Sequence, residues 1–241
     1  MLVRPRNPLN IGAVARAMSN FGVSSLRLVN PYAVAFREAR SAVGALELLR
    51  SAEEFGSVAE AVADCTVVVG TTAVRNRVLQ HPLQQLDHSG GKDLRKQLQR
   101  GRVALLFGSE KTGLTNDDFS HCHWLLHIPT DTQHISMNLA QAVAVCLYEL
   151  ARGTRVKADS KSTPKTKNLL TQTARAGDNE QITDALREAL LKSGYVKPGN
   201  DAVTEKKVRQ LVRRLHLGEM DAKVLLGMMR QIVWKLRQQE S

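Results

Sequence analysis

The stretch Ile128–Val143, IPTDTQHISMNLAQAV, decides how this chain reads. It follows an apolar run, WLL at 124–126, and passes into an apolar helix pattern that begins near Asn138. Between them stand Thr130, Asp131, Thr132, Gln133, His134 and Ser136. In α/β folds, ligands bind at a polar loop on the carboxyl end of a buried strand, where it opens into a helix.

Working outward, SLRLVNP (25–31), CTVVVGTT (65–72), RVALLFG (102–108) and WLLHIP (124–129) are short apolar runs closed by Gly, Pro or Thr. Such runs read as strands covered on both faces. Helical patterns lie between them. Ile11, Val14, Ala15, Met18 and Phe21 share one face, and so do Leu139, Ala142, Val143, Cys146, Leu147 and Leu150. Ser57 with Glu60 has the form of a capping box for a helix reaching Asp64. Alternation of this kind predicts an α/β domain over residues 1–154, a parallel sheet with helices on both faces. Only MLVR precedes the turn-forming PRNP, so the first strand is expected to be short.

Residues 155–180 are polar and without sustained periodicity, and are expected to form a flexible linker. Three helical patterns follow, over 182–193, 204–216 and 221–238, the first closed by Gly194. They predict a small all-α domain over 181–241.

The chain has 241 residues, 43% hydrophobic, and no apolar run near the roughly 18–20 residues that span a bilayer. It shows no leader-like apolar core at its start, and a cytoplasmic location is expected. Cys65, Cys122 and Cys146 lack metal-ligand spacing, and the run His121–Cys122–His123 alternates faces along a strand, so no metal is expected. The net charge of +11 is uneven. Residues 1–154 hold 16 Lys+Arg against 13 Asp+Glu, whereas residues 155–241 hold 18 against 10. A basic carboxyl-terminal third points to a polyanionic partner. Neither G-x-G-x-x-G nor a Walker sequence is present, which argues against a nucleotide-cofactor domain of the Rossmann or P-loop kind.

Three segments carry the chemistry: RPRNPLNIGAVARAM (4–18), LLFGSEKTGLTNDD (105–118) and ISMNLAQAV (135–143). Taken in order they read N-x-G-x-x-x-R, F-G-x-E-x-x-G-L and S-x-N-L-x-x-A. This trio resembles the motifs of the SpoU/TrmH class of SPOUT RNA 2′-O-ribose methyltransferases, over about 150 residues. The resemblance implies a deep trefoil knot in the carboxyl-terminal part of the α/β domain, which periodicity does not reveal and which is rare among folds. It also implies S-adenosylmethionine as cofactor, with S-adenosylhomocysteine as product, and a homodimer with its sites near the subunit interface. The helical extension narrows the resemblance to the bacterial tRNA methyltransferases that act on the first nucleotide of the anticodon loop, nucleotide 32. The alternatives are the same chemistry on ribosomal RNA, or a knotted RNA-binding protein without catalysis.

By that resemblance, cofactor contacts fall on Thr71, Thr72, Ala73, Gly108, Ile128, Ile135, Ser136 and Met137. Alone, Ile128 reads as core and Ser136 as the cap of the next helix. Arg16 is placed beside the ribose 2′-OH, with Ser136 and Asn138 as further catalytic candidates. Guanidinium is effectively always protonated, so a phosphate clamp suits Arg16 better than a general base. Asn10 is expected to order the first motif or touch substrate, and Glu110 to pair with Arg16 or another base. RNA phosphates are expected on Lys206, Lys207, Arg209, Arg213 and Arg214, because positions 206, 209 and 213 share a helix face. Val208, Leu211, Val212 and Leu215 are expected to face the other way.

Overall fold

Every strand pair among the described residues is parallel. The structure, a computed structural model, describes residues 1–34, 36, 46–73, 80–131, 133–152, 172–197 and 199–239. The strands are β1 (Leu2–Val3), β2 (Arg27–Val29), β3 (Glu53–Phe55), β4 (Val67–Thr72), β5 (Leu83–Gln85), β6 (Val103–Leu106) and β7 (Trp124–His127). They run in the orders β1-β2-β3 and β5-β7-β4-β6. The two sets meet where Val3 N–H donates to the Phe107 carbonyl at 2.8 Å and Phe107 N–H donates to the Met1 carbonyl at 3.0 Å. β4 and β7 are flanked by strands on both sides, which explains why each reads as an unbroken apolar run.

The described helices are α1 (Pro8–Asn20), α2 (Leu46–Arg50), α3 (Val58–Val62), α4 (His88–Arg100), α5 (Asn116–Ser120), α6 (Leu139–Arg152), α7 (Ala176–Lys192), α8 (Asp201–Arg214) and α9 (Glu219–Gln239). α1 starts where Asn7 caps it, its Oδ1 accepting from Leu9 N–H at 2.9 Å, with Pro8 in the first turn, where its missing N–H costs nothing. Its Ile11, Val14, Ala15 and Met18 pack with Leu139, Val143, Cys146 and Leu147 of α6 in one core. A second core on the other side of the sheet joins Val58, Ala61 and Val62 of α3 to Val68, Leu106, Leu125 and Phe119.

The boundary expected at 180 lies too late. Residues 153–171 of the linker are outside the described residues, but from 172 the chain is built into the fold. Thr173 bridges Gly218, Ala174 is fully buried, and Ala176 N–H donates to the Cys65 carbonyl at 2.7 Å. The segment QTARAGDNE looks like linker because its polar residues cap and dock. Asp178 accepts from Arg175 N–H at 3.0 Å, while Asn179 and Thr183 are buried.

α7 and α8 lie against the α/β part through charge as well as apolar contact. Glu180 pairs with Arg209 at 2.7 Å and Arg213 at 3.2 Å, and Arg209 also donates to Ser120 Oγ at 3.3 Å. His121 and His123 sit on the other side of this seam, both buried. Burial, with Arg209 and Arg213 nearby, pushes His121 down to about 4, Glu180 opposing. Burial, Arg213 and His216 push His123 down to about 3. Both rings are therefore neutral in the fold and titrate near 6.5 when unfolded. Their contribution to stability is full above that value and is lost as pH falls from about 6.5 through about 4 for His121 and about 3 for His123, because the unfolded chain then binds more protons. Thermal unfolding followed from pH 7.5 to 4.5 should show a falling midpoint, and His121→Asn should flatten that slope.

Candidate active site

The carboxyl ends of β4, β6 and β7 surround a cleft of about 380 Å³. That volume is within the roughly 300–1,000 Å³ usual for small-molecule sites. Thr71, Thr72 and Ala73 enter it from the end of β4, Gly108 from the loop after β6, and Ile128, Ile135, Ser136 and Met137 from the loop before α6. All eight residues on which cofactor contacts were expected thus line one cavity. The carboxyl-terminal end of a parallel sheet is also where the fold leaves a crevice.

Gly108 is required by packing. A Cβ there would lie 2.1 Å from the Gly113 carbonyl carbon and 2.2 Å from Leu114 N. The loop folds back on itself, with Gly113 N–H donating to the Ser109 carbonyl at 2.7 Å and Gly113 at φ +66°. That left-handed turn suits glycine and turns the backbone of 109–114 along the cleft.

The three sequence motifs meet beside the cavity. Glu110 accepts from Arg6 N–H and Asn7 N–H, each at 3.1 Å, and from Asn10 Nδ2 at 3.0 Å. Asn10 Oδ1 accepts from Asn138 Nδ2 at 2.9 Å, and Asn138 Oδ1 accepts from Ala140 N–H at 2.9 Å and Gln141 N–H at 3.4 Å. Burial raises the Glu110 carboxyl, but the Asn10 side chain and the backbone donors outweigh it and leave it below the ordinary carboxylate range. Two expectations are corrected here. Glu110 holds the backbone of the first motif and Asn10 rather than Arg16. Asn138, not Ser136, caps α6, because its carboxamide oxygen reaches the free N–H groups of the first turn.

Arg16 is exposed on α1 and does not line the cleft, and its side chain makes no hydrogen bond or ion pair among the described residues. A residue that the sequence reading passed over is Asp118. It is 2% exposed, accepts from Arg4 Nη1 at 3.1 Å and Thr115 N–H at 2.6 Å, and ties the first motif to the end of the second. Its signal was the capping box Thr115-x-x-Asp118. Lys111 and Thr130 also line the cleft.

The row of RNA-binding cations is corrected in part. Arg209 and Arg213 are 6% and 1% exposed, inside the seam with Glu180. Lys206 pairs with Asp117 at 3.3 Å. The shared face of 206, 209 and 213 is the docking face of α8, because α7 and α5 supply Glu180, Asp117 and Ser120 opposite it. Lys207 and Arg214 remain exposed. Of the apolar row, Val208 and Val212 are buried, whereas Leu211 and Leu215 are exposed. Among the described residues, no group of three His, Cys, Asp or Glu is placed to hold a metal.

Residues 1–148 match the SpoU rRNA Methylase family. The chain belongs to that family. Among SpoU relatives, a Klebsiella pneumoniae protein named tRNA (cytidine/uridine-2'-O-)-methyltransferase TrmJ is 34% identical over 233 residues, 96% of this chain and 94% of that one. A Pseudomonas aeruginosa protein, tRNA (cytidine/uridine/adenosine-2'-O-)-methyltransferase TrmJ, is 34% identical over 235 residues, 95% of this chain and 91% of that one. The crystal structure of TrmJ from Z. mobilis ZM4 superposes with a TM-score of 0.77 at 31% identity, covering 96% of each chain. The likeness to these TrmJ proteins therefore extends through the helical part as well as the α/β part.

Gly108→Ala should destabilise the fold by about 1–3 kcal/mol or more, since the overlap is with backbone and no flexible side chain can yield. Chemical denaturation checks this.

Proposed function

We propose that this protein transfers a methyl group from S-adenosylmethionine to a ribose 2′-OH of tRNA, at nucleotide 32 of the anticodon loop. The observation that carries the reading is the convergence of the three motifs, through Glu110, Asn10 and Asn138, beside the cleft that all eight expected cofactor residues line. The fit is chemical as well as spatial. The cleft offers backbone donors and acceptors over 107–114 for a polar nucleoside, and Ile128, Leu114 and Leu139 as apolar walls for a base. The near-complete alignment with proteins named as tRNA 2′-O-methyltransferases favours tRNA over ribosomal RNA. The trefoil knot that the motif resemblance implies belongs to the same reading.

S-adenosylmethionine, when bound, supplies an electrophilic methyl on a sulfonium. The protein's task is to present the 2′-OH in line with it and to let the hydroxyl proton leave, and positioning alone can lower the barrier substantially. Asn10 and Asn138 lock the first motif to the start of α6, so that α1 and the loop 135–137 keep one geometry. Arg16 stands off the cleft of its own chain, which supports a homodimer in which it serves a site at the subunit interface. There its guanidinium grips the neighbouring phosphate and steadies negative charge developing on the oxygen, while phosphate or water takes the proton. Lys207 and Arg214 are the cations of α8 left free to meet the tRNA backbone.

Labelled S-adenosylmethionine incubated with unmodified tRNA and, separately, with ribosomal RNA tests this directly. Methyl on the 2′-oxygen of tRNA nucleotide 32 is expected, and label on ribosomal RNA alone would overturn the substrate. Arg16→Lys should retain partial activity with unchanged cofactor affinity, and lost cofactor binding would contradict the clamp. The double variant Lys207→Ala/Arg214→Ala should reduce the salt dependence of tRNA affinity, by about one phosphate's worth of slope per residue. Arg209→Ala should lower stability instead.

A further inference from the structure

α9 faces the helical core on one side only. Ala222 is buried there, with Leu225 and Leu226 partly buried beside it, and Val233 is buried further along the helix. The other side carries a second apolar row. Val224, Met228 and Ile232 are 61%, 57% and 43% exposed. At about 100° per residue, Val224, Lys235, Met228, Asp221 and Ile232 fall in that angular order within an arc of roughly 80°, with Met228 at its centre. Asp221 and Lys235 are exposed, and neither makes a hydrogen bond or ion pair among the described residues.

The row is symmetric about Met228. Val224 and Ile232 stand four residues to either side of it, and Asp221 and Lys235 seven residues to either side. A second α9 laid antiparallel across a two-fold axis at Met228 would set Val224 against Ile232, Asp221 against Lys235, and Met228 against itself. The apolar middle is then flanked by opposite charges at both ends, and the helix dipoles oppose one another. A parallel copy would set Asp221 against Asp221 and Lys235 against Lys235. An RNA backbone would meet a carboxylate and one cation, and a membrane surface would call for cations along the polar margin.

We propose that this face of α9 is a self-association surface, on which two copies of the chain pair their α9 helices antiparallel about Met228. The contact is isologous, so each favourable pair occurs twice. A single helix pair is small beside the roughly 1,200–2,000 Å² of stable interfaces, so the contact is weak alone and reinforces any other contact between the same copies. No residue of the row lines the cleft, and the proposal does not depend on the methyl-transfer reading.

Site-directed cross-linking of the full chain tests it, since the three native cysteines are buried and compete little. Under mild oxidation Met228→Cys should form a disulfide-linked dimer on a denaturing, non-reducing gel. Val224→Cys and Ile232→Cys should each link poorly alone, because like positions lie about 12 Å apart along the axis, and should link when mixed. Adding Asp221→Lys or Lys235→Asp to Met228→Cys should slow linking by about fivefold, and adding both should restore it. Met228→Cys that stays unlinked while its unfolding midpoint matches the unaltered protein would overturn the proposal. So would Val224→Cys linking alone as fast as Met228→Cys, or charge reversals without effect.

Discussion

A single carboxylate holds together parts of the chain that lie 100 or more residues apart. Glu110 takes two backbone N–H groups and one side-chain amide from the first motif, and Asn10 passes the connection on to Asn138 at the head of α6. Hydrogen bonds to a charged acceptor are worth about 1.5–3 kcal/mol when buried and less where water competes, as it does here. Their larger effect is geometric. They fix the entry of α1, the loop after β6 and the start of α6 relative to one another, and the cleft is bounded by the last two of these.

The second constraint is steric. Gly108 lies so close to the Gly113–Leu114 backbone that any side chain would displace it. The loop that carries Glu110 is therefore pinned at its base by close packing and at its tip by hydrogen bonds. Asp118 completes the frame from the buried side by joining Arg4 to the cap of α5. Ser120, at the end of that short helix, meets Arg209 of α8, so the frame of the cleft and the seat of the helical part share one element.

Much of this was legible in the residues. Four of the buried strands announce themselves because apolar runs such as VVVG and WLL have no polar face to hide. β3 and β5, EEF and LQQ, do not, because they are three-residue edge strands with exposed side chains. The cleft residues were legible through the motif pattern, since each motif combines a turn-former with a neighbouring buried element. What periodicity could not separate was a cation that faces water from one that faces a carboxylate. Arg209 and Arg213 have the spacing of a solvent-facing row, and their partner Glu180 sits 29 and 33 residues away in sequence. Likewise the polar run before α7 carries no apolar stripe, yet Ala174 is buried in the helical core, its N–H donating to the Leu217 carbonyl, and Ala176 against the α/β part, its N–H donating to the Cys65 carbonyl, because both are small enough to let backbone meet backbone.

The central claim is that the cleft at the ends of β4, β6 and β7 binds S-adenosylmethionine. Titration calorimetry of S-adenosylmethionine into the protein and into an Ala73→Trp variant, which fills the cleft wall, tests it most directly. The account predicts one molecule bound per chain, and none in the variant while its unfolding midpoint stays close to that of the unaltered protein. Undiminished binding by the variant, or no binding by the unaltered protein, would contradict it.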